Sequence, residues 1–421
     1  MIMAMIRPET EMKDTGIEWI GNIPSSWVCC KQKYVISLIN GRAFKDTEFE
    51  EDGKYRILRV GNLFSNPKWY SSNLELEDDK YCDNGDLLYA WSMSYGPYIW
   101  NGEKVIYHYH IWKAKLLNNL SKRFAYYYLI ALSDSIKSDV HETTMSFITM
   151  KSMNNSYIAF PEDIFEQQAI ADYLDETCSK IDEIIAEAKA SIDEYKELKQ
   201  SVIFEAVTKG LDKNVEMKQC SVNWLDEIPS TWESIRLKYL LTEINNRSET
   251  GTEQPLSVSQ VMGVVPSYMI AVANPTASYV GQKIVEPNDI VFNKLKAHLG
   301  VFFMSKYHGL VSPDYAVYRT NDKVIPKYLE YLFHTSACIS EFKKYISGVA
   351  EGLMRLYTSD LFNIRICLPK VDEQIKIVEY VENKVELFDS LIAEKESLIN
   401  DLESYKKSLI YEVVTGKRRV V

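Results

Sequence analysis

Two groups of side chains in this sequence carry donors, acceptors and rings suited to reading the edge of a planar, polar ligand. The first is Arg42, Lys45, Arg59, Asn62, Trp91, Ser92 and Tyr95; the second is Arg247, Ser257, Ser259, Gln260, Asn293, Lys294, Lys296 and His298. Arg and Lys donate to guanine, Asn and Gln pair in two places with adenine, and Ser serves either, while aromatic groups pack against bases. Taken singly, each is an ordinary surface residue. They are grouped by position, near landmarks that occur twice in the chain. Ile57-Leu58-Arg59-Val60-Gly61-Asn62 matches Pro255-Leu256-Ser257-Val258-Ser259-Gln260, and Gly85-Asp86-Leu87-Leu88-Tyr89 matches Asn288-Asp289-Ile290-Val291-Phe292.

Bond-making chemistry has no comparable candidates. The chain has no Gly-x-x-x-x-Gly-Lys-Ser/Thr for nucleotide phosphates, no Gly-x-Gly-x-x-Gly after a strand, and no His-Glu-x-x-His. Asn274-Pro275-Thr276 falls short of the Asn-Pro-Pro-Tyr-like tetrapeptide of amino-methyltransferases, and Pro313-Asp314 lacks a following Glu-x-Lys. His108-Tyr109-His110 sits in an alternating segment, 105–112, that reads as one strand with its polar groups outward. Cys29, Cys30, Cys82, Cys178, Cys220, Cys338 and Cys367 form no Cys-x-x-Cys pair and have no His at ligand spacing, so reduced structural thiols are expected, with no metal. The chain is expected not to be an enzyme on its own.

What must hold the two groups in place is a repeat. Ile17-Glu18-Trp19-Ile20-Gly21-Asn22-Ile23-Pro24-Ser25-Ser26-Trp27 returns about 205 residues later as Val222-Asn223-Trp224-Leu225-Asp226-Glu227-Ile228-Pro229-Ser230-Thr231-Trp232. The stretch from Glu166-Gln167 to Ile203-Phe204-Glu205-Ala206-Val207-Thr208 returns from Glu373-Gln374 to Ile410-Tyr411-Glu412-Val413-Val414-Thr415. The first helical stretch runs on into a Trp-Pro-Trp segment, whereas the second ends near the C-terminus, its continuation standing at the N-terminus. The order is circular. Such a chain is expected to bring its termini together, with its halves related by an approximate two-fold axis.

The repeated helical stretches carry a heptad seam. Leu174, Ile181, Ala188, Tyr195 and Val202 recur at sevens with Cys178, Ile185 and Ile192 between them; Val381, Phe388, Leu402 and Leu409, with Val385, Ile392 and Ile399, hold the same places, and Lys395 interrupts. Forty-odd residues at helical rise make a rod of roughly 60 Å whose single apolar stripe needs a partner, and the other copy, antiparallel, is the expected one. Pro161 and Pro369 mark the helix starts, each after a short apolar strand. The expected division is an N-terminal recognition domain at 1–160 with its repeated start at 14–27, a helical region at 161–217, a second domain at 218–368 and a helical region at 369–421. Helical segments at 123–132 and 326–333 add to a curved, mostly antiparallel sheet in each domain. Trp19, Trp27, Trp224 and Trp232 read as core anchors joining domain to rod, and Tyr126-Tyr127-Tyr128 as helix packing.

The net charge of −11, from 48 basic and 59 acidic residues, argues at first against nucleic acid. Its distribution removes the objection. Residues 161–210 hold 5 Lys against 13 Asp or Glu, and residues 369–421 hold 9 basic against 11 acidic, so the rods account for nearly all the excess and the domains are close to neutral. Neutral domains are expected to bind a duplex with modest phosphate-driven affinity and to rely on partners for more cationic surface. With 46% hydrophobic and 25% charged residues the composition is that of a globular protein. The absence of a signal-like N-terminus and of a membrane-length apolar run points to the cytoplasm. Met1, Met5 and Met12 are all plausible starts.

Together, Ile-Glu-Trp-Ile-Gly-x-Ile-Pro-x-x-Trp, its mid-chain copy, the two Asp-Leu/Ile-Leu/Val landmarks, and Pro then Glu-Gln before a long helix ending in Val-Thr resemble the specificity subunit of type I restriction-modification systems over essentially the whole chain. The resemblance implies an α+β protein in which two mixed α/β target-recognition domains each read one half of a bipartite double-stranded DNA target. They are joined by two long helices that form an antiparallel coiled coil, in a circular, pseudo-two-fold repeat. It implies two methyltransferase subunits docked on the chain and restriction (motor) subunits added through them. No cofactor is expected on this chain; S-adenosylmethionine, magnesium and ATP belong to partner subunits. Two alternatives fit the same architecture: a non-enzymatic two-domain scaffold for proteins or other ligands, and the specificity chain of a related phage-defence methyltransferase system.

Overall fold

The computed structural model describes residues 5–64, 66–92, 95–139, 148–222, 224–270, 278–347 and 355–420; Asn223 of the repeated motif and Asn274-Pro275-Thr276 lie outside them. By packing, the chain divides into one unit of residues 1–189 with 396–421 and another of 190–395. The four-segment division expected from sequence cuts the chain differently, because half of each long helix packs with each recognition domain.

The two rods are single helices, Ile164–Lys209 of 46 residues and Val371–Val414 of 44. Acidic residues occupy the first turn of each, Glu166 in one and Asp372 and Glu373 in the other, where exposed amides and the helix dipole favour negative charge. Each ends on a glycine in the left-handed region, Gly210 (φ 76°) and Gly416 (φ 73°), which closes the last turn. The ends are also tight: a Cβ on Gly416 would collide with Pro24 and press on Trp27, and one on Gly210 would crowd Glu373 and Trp232. The heptad seam is the buried stripe. In the first unit Leu174, Cys178, Ile181, Ile185 and Ala188 are buried, as are Ile399, Leu409 and Ile410, and Lys406 pairs with Asp182 at 2.6 Å. In the second, Tyr195 meets Phe388 while Ile203 and Val207 share a core with Ile377 and Val381, so the helices run in opposite directions. Lys199 pairs there with Asp389 at 2.6 Å.

The circular order of the sequence is visible as a strand pair. Met5–Ile6 pairs antiparallel with Arg418–Arg419, and the amide of Arg7 donates to the carbonyl of Lys417 at 2.8 Å. The repeated Trp-Pro-Trp segments fold alike in each unit. Met12–Asp14 pairs with Asn22–Pro24, and Met217–Gln219 with Glu227–Pro229. Lys13 Nζ donates to the carbonyls of Ser25 (2.8 Å) and Trp27 (2.6 Å), and Lys218 Nζ to those of Ser230 (2.7 Å) and Trp232 (2.6 Å).

Each recognition domain is built on the same four-stranded antiparallel sheet. Its order is Gly96–Ile99, Leu87–Ala90, Ile111–Leu116, Ile36–Asn40 in the first domain, and Phe302–Met304, Ile290–Phe292, Ala316–Thr320, Leu241–Ile244 in the second. Behind it lie helices Lys122–Asp139 and Pro326–Phe333, and the tyrosines of the first pack as expected, with Tyr127 and Tyr128 buried. A second layer has the same strand order in both domains, with a shorter central pairing in the second. In the first it is a four-stranded sheet, Tyr70–Ser72, Tyr55–Leu58, Val105–Tyr107, Tyr81–Cys82, whose central pair is parallel. In the second, Leu256–Ser259 with Gly263–Pro266 and Lys283–Val285 with Gly309–Val311 take the same places, and a parallel bridge between Pro255 and Leu310 joins the two pairs. The single strand expected at 105–112 is in fact two. The chain reverses at Tyr109–His110, so Val105–Tyr107 joins the second layer and Ile111–Leu116 the first. Val105, Ile106 and Tyr107 are all buried because that strand is covered on both faces, which the apparent alternation conceals. Among the described residues no helix is long and apolar enough to cross a membrane.

Gln374 is fully buried, accepts from the amide of Ile325 (2.8 Å) and donates to the carbonyls of Lys323 and Pro369 (both 2.9 Å). Gln167 repeats this in the first unit, accepting from Ser121 and donating to Pro161. Gln374→Ala strands one buried amide and weakens two carbonyls, so it should cost about 3 kcal/mol, read as a lower urea midpoint, whereas Lys370→Ala on the nearby surface should change the midpoint little.

Candidate nucleic-acid interface

In the first domain the structure gathers several of the residues named from sequence around one turn. Arg42 follows the strand Ile36–Asn40 and bridges His108; its guanidinium holds Glu48 in a two-point pair (3.0 and 2.6 Å) and lies 5.3 Å from the centre of the Phe44 ring. Lys45 is exposed at the start of the short helical turn that carries Glu48. Arg59, exposed just beyond the strand Tyr55–Leu58, lies over Tyr70 at 5.1 Å. Arg59, Tyr70, Phe44, Phe49, Asp46, Ile57 and His108 line a cavity of about 440 Å³. Trp91 extends this surface: its indole donates to the carbonyl of Tyr109 at 2.7 Å, stacks on Trp112 and meets His110 edge-on, with half-buried Ser92 beside it. Tyr95 lies instead near Tyr89 and Asp134 of the helix. Asn62 is committed to its own turn, accepting from the amide of Arg59 and donating to the carbonyls of Asn66 and Lys68.

The second domain presents a different set. Arg247 is exposed and donates to the carbonyl of Gly281 at 2.9 Å. Lys294 stands 3.8 Å from Glu243, which Lys283 approaches at the same distance. Lys296 is exposed on the same short helical stretch, Lys294–Leu299, and His298 there has a buried Nδ1 with no hydrogen-bond partner among the described residues. Asn293 is buried and caps that stretch by accepting from the amide of Leu295. Ser257 bonds Ser267, and Ser259 accepts from the amides of Val261 and Met262, shaping the turn of a hairpin whose tip carries Gln260. That tip is apolar, with Val261 93% exposed and Met262 beside it.

The landmarks explain why the two surfaces sit on one scaffold. Gly85 and Asn288 both adopt positive φ (84° and 73°), and the carboxylates that follow close the turn onto the amides of Asp83 and Glu286. Asp86 pairs with Lys113 at 2.6 Å, and Asp289, buried, holds Arg319 at two points (2.8 and 2.9 Å). After the other landmark the chains part, to a helical turn at Val60–Phe64 in one domain and to the hairpin in the other.

Sequence reasoning missed His108, Tyr109 and His110 as part of this surface because it read them as strand, and missed Val261 and Met262 because it sought polar groups. It also missed Lys283, a buried lysine whose proton affinity is lowered chiefly by burial and then by Lys294, with Glu243 opposing. Its place five residues before the second landmark was the available signal.

The type I restriction modification DNA specificity domain matches residues 24–194 and 229–403. The chain belongs to that family. It is similar along 97% of its length, at 21% identity, to the specificity subunit of the type I restriction enzyme EcoBI of Escherichia coli, covering 89% of that protein. It is 24% identical to the MjaVIII specificity subunit of Methanocaldococcus jannaschii, with 80% of each chain covered. Its fold is that of two solved chains: one from work on complex assembly and conformational transition of the type I R-M system (TM-score 0.69, 14% identity, 94% of this chain and 99% of that one), and the HsdS subunit of Thermoanaerobacter tengcongensis (TM-score 0.54, 15% identity, 94% and 98%). The family's part is DNA sequence specificity, and this member is a non-catalytic specificity subunit.

Burial, then His110 and Arg59, hold the His108 imidazole down to about 4 from its ordinary 6.5. Between those values the unfolded chain binds a proton that the folded one refuses, so stability should fall as pH drops from about 6.5 towards 4. Comparison of denaturation midpoints across that range should show the slope reduced in His108→Gln.

Proposed function

We propose that the chain reads a bipartite double-stranded DNA target, one half-site per recognition domain. It docks two methyltransferase subunits and, through them, restriction subunits, in the cytoplasm, with S-adenosylmethionine, magnesium and ATP used on those partner chains. The observation that carries the reading is the pairing of one sheet and one landmark turn with two unlike surfaces: Arg42, Arg59, Trp91 and the 108–110 turn in one domain, and Arg247, Lys294, Lys296 and the 256–266 hairpin in the other. Identical scaffolds give both domains one way to meet a duplex, while unlike surfaces let each read its own bases. The exposed Val261 and Met262 suit contact with a thymine methyl group. Two uninterrupted rod helices supply the rigid length that a fixed spacer needs.

Co-expression with a methyltransferase encoded beside this chain, followed by single-molecule sequencing for N6-methyladenine, should yield one bipartite motif that disappears when this chain is deleted. Replacing residues 28–160 with those of a relative should change one half of the motif only, and removing matched heptads from both rods should change only the spacer. A swap that altered both halves, or no motif together with no DNA binding, would sink the two-reader proposal in favour of a protein-binding scaffold. At single-residue level, Lys296→Ala should weaken binding to all sequences alike and lower the salt slope by about one ion, while Arg59→Ala should cost about 1–3 kcal/mol and relax one position of the first half-site.

A further inference from the structure

The chain's seven cysteines are free thiols, and two of them touch: Cys220 and Cys367, 147 residues apart, have their sulfurs 2.9 Å from each other. Their backbones are held. Cys220 ends the strand Met217–Gln219, its amide donating to the carbonyl of Asp226 at 3.1 Å, and its sulfur accepts from the amide of Val222. Cys367 lies opposite Ser234 in the strand Arg365–Leu368, directly before the second rod helix. The two differ in access: Cys220 is only partly buried, whereas Cys367 is 1% exposed. The first unit offers no counterpart. Thr15 occupies the place of Cys220, its amide donating to the carbonyl of Gly21, and Ala159 occupies that of Cys367, opposite Cys29.

We propose that Cys220 and Cys367 form an oxidation site specific to the second unit, where a peroxide converts the thiol pair into a disulfide that ties the start of the second recognition domain to its end. The reaction begins at Cys220, the sulfur that solvent reaches. Its thiolate attacks one oxygen of hydrogen peroxide; the O–O bond breaks, the second oxygen leaves as water after taking up a proton, and Cys220 becomes a sulfenic acid. The sulfur of Cys367 then attacks Cys220 Sγ, the S–O bond breaks, and that oxygen leaves as a second water carrying the Cys367 proton. Two electrons pass from the thiols to the peroxide. Burial and the neighbouring thiol keep the Cys367 proton in place, so Cys367 resolves the sulfenic acid rather than initiating. Burial raises the thiols of Cys29, Cys30, Cys82, Cys178 and Cys338 too, and none of these has a sulfur partner among the contacts described.

A disulfide here closes a loop that spans the whole second recognition domain, which restricts the unfolded chain strongly. The first domain keeps its reduced behaviour, so oxidation makes two units of like fold unequal in stability.

The test uses the full-length chain treated with a small excess of hydrogen peroxide. Thiol titration under denaturing conditions should fall from seven to five, non-reducing peptide mapping should recover the peptides of Cys220 and Cys367 joined, and dithiothreitol should restore all seven. The melting temperature of the second unit should rise by on the order of 5–10 °C. In Cys367→Ser the sulfenic acid at Cys220 should persist and be trapped by dimedone, while Cys220→Ser should leave Cys367 a thiol. Retention of seven thiols by the unmodified sequence, or a joined pair involving any other cysteine, would overturn the proposal without reference to either variant.

Discussion

Each recognition domain depends on one hydrogen bond between a buried indole and a helix terminus. Trp27 Nε1 donates to Glu166 at 3.1 Å, and Trp232 Nε1 to Glu373 at 3.1 Å. The indole is almost wholly buried in both cases, so its single donor needs an acceptor, and a carboxylate in the first turn of a rod helix is a strong one, itself favoured there by the helix dipole. The neighbouring Gln167 and Gln374 then bind the chain that enters the helix behind each sheet. The far end of the other rod is drawn to the same place. Gly416 abuts Pro24 and Trp27, and Gly210 abuts Pro229 and Trp232. One tryptophan therefore organises a helix start, a helix end and the first hairpin of its domain.

This arrangement separates what is held constant from what is free to vary. The Lys13 and Lys218 clamps, the two Gln networks and the glycine-ended rods are the same in both units to within a few tenths of an ångström in their hydrogen-bond lengths. None of these groups belongs to the candidate reading surfaces. Those surfaces sit on the turns that leave the strands: after Ile36–Asn40, Tyr55–Leu58 and Leu87–Ala90 in the first domain, and after Ile290–Phe292 and at the 256–266 hairpin in the second. Side chains on those turns can change without disturbing the junctions on which folding depends.

Several of the side chains named from sequence are occupied in shaping those turns. Asn62 closes its own turn, Asn293 caps a helical stretch, and Ser259 holds the hairpin tip. Their contribution is to set where Arg59, Lys296 and Gln260 stand. The exposed cations and the rings around the 108–110 turn remain the groups positioned to meet a ligand.

The circular order, the heptad seam, the helix starts after Pro161 and Pro369 and the anchoring role of Trp27 and Trp232 were all legible in the residues, because each rests on local periodicity or on a repeated motif. The candidate surface was legible only in part. Residues 105–112 alternate like one strand yet form two in different layers, since the reversal at Tyr109–His110 is decided by which sheet offers each half a partner. The contact between Cys220 and Cys367 has no sequence signature at all, because 147 residues separate thiols that only the pairing of Glu233–Arg236 with Arg365–Leu368 brings together. Local pattern determined the elements and their repeat; long-range strand pairing, which depends on burial across the whole domain, decided which side chains share a surface.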